Sequence, residues 1–194
     1  MIKISTYNQL WIGLALAVVM AATRIQLVAP IGHHLPDASY AVFYLAGVYL
    51  SPGWIFPVLL LEGFLIDLSA VTWWNVSGFC LTPAYFLLLP AYFSLWIGGR
   101  WYAGRCRFAW STLLPLSTSL LSATLVAELF ASGGFYLFSG RFTELTSAEL
   151  AVRLVQYLPT SLYSIILYVT TAAVVHSVAA LFNNRTKDRD LTAV

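Results

Sequence analysis

An all-α integral membrane protein with six transmembrane helices is the fold class this sequence predicts, and three observations predict it. Hydrophobic residues make up 60% of the chain and charged ones only 9%, against roughly a quarter charged in an ordinary soluble domain. The polar residues fall in short clusters between long apolar runs. A spanning helix takes about 20 residues, so 194 residues accommodate six spans with short loops and leave nothing for a soluble domain. A cytosolic enzyme, a disordered regulator and a disulfide-stapled secreted module are excluded. Ten Lys and Arg against eight Asp and Glu give a formal charge of +2, which supplies no basic stripe for nucleic acid.

The first span is expected at about 7–28. Its apolar run from Leu10 to Ala22 follows Lys3, which is also the form of a signal peptide, but the apolar character resumes past Arg24 through Leu27 to Pro30, and this favours a retained helix. Helix 2 is short, at about 38–51. Its apolar core from Tyr40 to Leu50 ends at Ser51-Pro52-Gly53, a turn signature that also opens helix 3 at about 54–72. Helix 4 follows at about 81–98, helix 5 at about 109–138 and helix 6 at about 147–182, the last two long enough to tilt or protrude. No repeat is evident, and residues 1–194 read as one domain.

Short loops rich in Lys and Arg stay in the cytoplasm. Lys3, the group Arg100, Arg105 and Arg107, and the group Arg185, Lys187 and Arg189 all fall on one side of a six-span topology. Both termini are therefore expected to be cytoplasmic. The loops at about 29–37, 73–80 and 139–146 then face outward, carrying His33, His34, Trp73, Trp74, Asn75, Cys80 and Arg141. Cys80 and Cys106 lie on opposite faces, which argues against a disulfide. His176 lies on the order of 40 Å from the outer end of helix 6, too far to act as a base for Ser77 or Cys80. The segment Asn75-Val76-Ser77-Gly78 lacks the first glycine of the Gly-x-Ser-Gly pattern of intramembrane serine proteases.

Cys80 sits where the outer loop turns into helix 4, with Pro83 suited to the first turn. The helix N-terminus favours a thiolate, the form that ligates metals or attacks electrophiles; the alternative is one more small apolar residue. Cys106, between Arg105 and Arg107, has no companion ligand and is assigned no role. His33 and His34 share the face of Cys80, but adjacent histidines do not easily reach one ion, and polar loop residues are the better reading. Asp67 and Arg153 both lie about 8 Å inside the outer end of their helices and can pair, with Glu149 competing for Arg153 as an i, i+4 partner. Glu62 and Glu128 lie deeper. Tyr85, five residues after Cys80, offers a hydroxyl to a polar ligand from an apolar wall. On helix 1, Gly13, Ala17 and Ala21 form a small-residue stripe suited either to packing in the chain's own bundle or to a partner helix.

The pattern resembles the substrate-binding S-components of energy-coupling-factor (ECF) vitamin transporters, and most closely the solitary cobalamin-specific branch, the BtuM family. The resemblance covers the whole chain in size and topology. Its specific part is the Trp73 to Tyr85 segment with Cys80 at the start of helix 4. It implies that outer loops and the outer halves of the later helices enclose the vitamin, and that the Ala17-Val18-Val19-Met20-Ala21 stripe docks on a transmembrane coupling subunit. It also implies that Cys80 approaches the corrinoid cobalt. No Gly-x-x-x-x-Gly-Lys nucleotide loop is present, so ATP use would belong to a coupling module.

The expected function is cobalamin uptake at a bacterial inner membrane. The corrin ring would be covered by Trp73, Trp74, Phe79 and Phe86, and its amide arms bonded by Asn75, Ser77 and Tyr85. Asp67 and Arg153 would shape the cavity or orient the ligand. Cys80 would hold the cobalt, with the vitamin base-off and its upper ligand, such as cyanide, removed. The alternatives are an S-component for another vitamin, a membrane-embedded thiol enzyme using Cys80 with His33 or His34, and a small structural subunit.

Overall fold

The computed structural model describes residues 5–26, 35–73, 82–105, 112–142 and 145–192, with side chains up to Ala180. The described residues form α1 (Thr6–Gln26), α2 (Ser39–Tyr49), α3 (Ile55–Trp73), α4 (Leu88–Ala103), α5 (Leu113–Phe138) and α6 (Ser147–Thr192), with no strand among them. The all-helical expectation holds. Four of these helices, α1, α3, α5 and α6, are long and apolar enough to cross a membrane, which is the make-up of a multi-pass membrane protein. Large apolar side chains such as Leu14, Val18, Leu61, Val155 and Val175 lie on the outside of the bundle, where only a lipid solvent suits them.

The six helices are not six equal spans. The 11 residues of α2 rise about 16 Å, roughly half of the hydrocarbon core. Every α2 residue except Tyr40 and Tyr49 is buried, so α2 is the axis of the bundle rather than one of its walls. Glycine makes that possible. A Cβ added at Gly47 would lie 2.1 Å from the Trp96 carbonyl oxygen, and one at Gly99 would lie 2.0 Å from the Tyr44 carbonyl oxygen. The backbones of α2 and α4 thus touch through reciprocal glycines, and Phe43 stacks on Tyr92 across the same seam at 4.3 Å. Without a hydrophobic drive between helices in lipid, such close packing is what holds them together.

Three helices depart from the expected course. Instead of beginning near residue 81, the fourth element opens as a 3-10 turn, Pro83–Leu87, and becomes α-helical at Leu88. Pro90 explains the delay, because its ring would clash with the carbonyl of Phe86 in a continuous α-helix. α4 then continues to Ala103, beyond the expected end. α6 runs through Pro159 and past residue 182 to Thr192. In α5 the regular helix ends at Glu128 and gives way to a π-helical turn, Leu129–Gly133.

Candidate ligand-binding cavity

Where α1, α3 and α5 finish and α4 and α6 begin, the bundle holds a half-open cavity of about 540 Å³. Its polar wall includes Arg24, Asp37, Asp67, Tyr85, Ser132 and Arg153, and its aromatic wall includes Phe135, Tyr136, Phe142 and Tyr157. Three sequence-predicted residues, Asp67, Tyr85 and Arg153, come from three different elements and meet here.

The floor is organised by Arg24, which is 6% exposed. Its Nη1 donates to Asp67 Oδ2 at 2.6 Å and to the Gly63 carbonyl at 3.2 Å. Nε donates to Ser39 Oγ at 2.8 Å and Nη2 to Tyr92 Oη at 2.5 Å. One guanidinium near the end of α1 therefore ties α2, α3 and α4 together. A buried cation requires this many partners, and arginine's planar fork supplies the donors. Ser39 Oγ in turn donates to Asp37 Oδ1 at 2.7 Å. Tyr85 Oη donates to Asp67 Oδ2 at 2.8 Å, so both bonds fall on one carboxylate oxygen. The other, Oδ1, has no hydrogen-bond partner among the described residues and remains an open acceptor.

The expected pairing of Asp67 with Arg153 is corrected. Asp67 is paired with Arg24, and Arg153 with Glu149 at 3.0 Å, one helical turn away. Local helical spacing wins for Arg153, while the fully buried Arg24 claims the nearest carboxylate on the adjacent helix. The Arg153 guanidinium lies over the Phe142 ring, 4.2 Å from its centre. Arg153 Nε is buried without a hydrogen-bond partner. The cavity thus presents an open acceptor at Asp67, the Arg153 guanidinium and aromatic faces.

Neither models of protein families nor curated proteins yield a match to this chain.

Other expectations fare differently. Phe86 does not cover the cavity: it is 82% exposed and lines a groove between α3 and α4. Trp73 is 79% exposed at the end of α3. Trp74, Asn75, Ser77, Phe79, Cys80, His33, His34 and Cys106 lie outside the described residues. His176 stacks on Tyr49 with ring centres 5.7 Å apart, at the end of α2 opposite the cavity. On α1, a Cβ added at Gly13 would lie 3.7 Å from Leu50 Cδ1 and Ala17 packs against the core, so this part of the stripe serves the chain's own bundle. Sequence reasoning missed Arg24. The available signal was an ionisable residue inside an apolar run, which marks a site or a partner.

Proposed function

We propose that the chain is a cobalamin-uptake protein of the S-component type, seating one side of the vitamin in the cavity between the ends of α1, α3 and α5 and the starts of α4 and α6, a space too small to hold the whole corrinoid. The observation that supports it is the convergence of Asp67, Tyr85 and Arg153 on one cavity, with Tyr85 five residues after Cys80. A corrinoid carries amide arms around an extended ring. Asp67 Oδ1 accepts from an amide N–H, Arg153 donates to an amide carbonyl, and the aromatic wall meets the ring. Cys80 as thiolate occupies one axial position of the cobalt. The bound vitamin is then base-off, and electron donation from sulfur weakens the bond to an upper ligand such as cyanide. The cavity end faces outward and the Arg100 and Arg105 end faces the cytoplasm of a bacterial inner membrane. An ECF coupling module, if used, meets α1 near Ala17 and Ala21, which retain partial exposure.

The test is an absorption spectrum and cobalt assay of full-length protein purified after growth with cyanocobalamin. A red protein with about one cobalt per chain is expected. A colourless, cobalt-free protein, both as isolated and after incubation with the vitamin, overturns the reading.

A further inference from the structure

Glu128 closes the regular part of α5, directly before the π-helical turn, and is 3% exposed. Hydroxyls from three helices surround its carboxylate. Tyr40 Oη of α2 donates to Oε2 at 3.2 Å, Ser161 Oγ of α6 donates to Oε2 at 2.8 Å, and Ser132 Oγ of α5 donates to Oε1. Thr124, one turn earlier on the same face of α5, is 0% exposed, and its Oγ1 has no hydrogen-bond partner among the described residues. Thr124, Glu128 and Ser132 follow one another at four-residue spacing on one face of α5. Among the described residues no Arg or Lys forms an ion pair with Glu128.

A carboxylate so deep in a membrane bundle and without a cationic partner marks a site. The groups gathered here are one carboxylate and three hydroxyls bonded to it, with the Thr124 hydroxyl one turn away, all oxygen, which is the preference of a hard cation. One negative charge matches a single positive one. π-helical turns in α-helices recur at functional sites, and membrane transporters hold sodium ions where helices are interrupted. We propose that Glu128, Ser132, Ser161 and Thr124 form a binding site for a monovalent cation, sodium, closed from α2 by Tyr40. The hydroxyls turn lone pairs toward the ion, and the ion neutralises the carboxylate. Ser132 also lines the 540 Å³ cavity, so the ion and a cavity ligand share a side chain, and each is expected to tighten or loosen the other's binding by the same factor.

The experiment melts the full-length protein in detergent in sodium chloride and in choline chloride of equal ionic strength. A rise in Tm of about 5 °C is expected in saturating sodium. Glu128→Gln and the isosteric Thr124→Val should each lose most of it. Equal melting in the two salts overturns the proposal, as does a sodium shift that Glu128→Gln retains, or stabilisation that follows pH and ignores sodium. Should Glu128→Gln fail to fold, radioactive sodium binding to the parent and to Thr124→Val decides the matter, with no saturable binding by the parent as the overturning result. No vitamin enters the experiment, so its failure and that of the cobalamin reading are separate events.

Discussion

Arg24 and Asp67, 43 positions apart in the chain, form an ion pair of 2.6 Å in which the arginine side chain is 7% exposed and the aspartate 33%. The asymmetry divides the work between them. Arg24 holds three other helices, while Asp67 faces the cavity with an oxygen to spare.

Arg24→Met is therefore expected to act on stability, since it leaves Ser39, Gly63 and Tyr92 without their donor. Removing one partner of a buried pair costs about 3–5 kcal/mol, read as a large loss of melting temperature. Asp67→Asn keeps an acceptor for Arg24 and Tyr85 but takes the counter-charge from a buried guanidinium, so it should cost about 1–3 kcal/mol, less than the loss of the whole Arg24 network. Its effect on the ligand belongs in a cyanocobalamin titration, as an affinity loss of roughly tenfold, the weight of one hydrogen bond to a charged group. Matching losses of stability in the two variants would contradict this division.

The reciprocal glycines make the steepest stability prediction. Gly47→Ala or Gly99→Ala puts a methyl group against backbone that has no rotamer with which to escape. A cost of at least about 1–3 kcal/mol from overpacking is expected, accompanied by separation of α2 from α4. Gly53→Ala, where nothing lies within 4 Å, is the control. Parent-like melting of Gly47→Ala would show that the two backbones are farther apart.

Cys80→Ser tests the proposed chemistry. With a thiolate on cobalt, the parent changes the spectrum of cyanocobalamin and the serine variant does not, because a hydroxyl is neither ionised at neutral pH nor soft. Equal spectra for the two proteins would remove sulfur from the mechanism.

On α1, Ala17→Leu distinguishes internal packing from docking. Because Ala17 already packs against the core, the isolated variant should melt below the parent by an amount equivalent to about 1–3 kcal/mol. A variant that melts normally and binds the vitamin, yet fails to transport it, would return the stripe to a coupling subunit.

The sequence by itself determined the helical class, the apolar runs and most helix starts, because those follow from composition, turn residues and the length a bilayer demands. It also singled out Asp67, Tyr85 and Arg153, since ionisable and phenolic groups near span ends are conspicuous against so apolar a background. Only the tertiary structure decided their partners. Which carboxylate Arg24 takes depends on the neighbour that α1 acquires, and that choice rests on shape. The same holds for α2, which in the sequence is one short span among six, and which Gly47 and Gly99 let sink into the centre of the bundle. Spacing along one helix is written in the chain, whereas contact between helices depends on backbones meeting at distances that no single segment specifies.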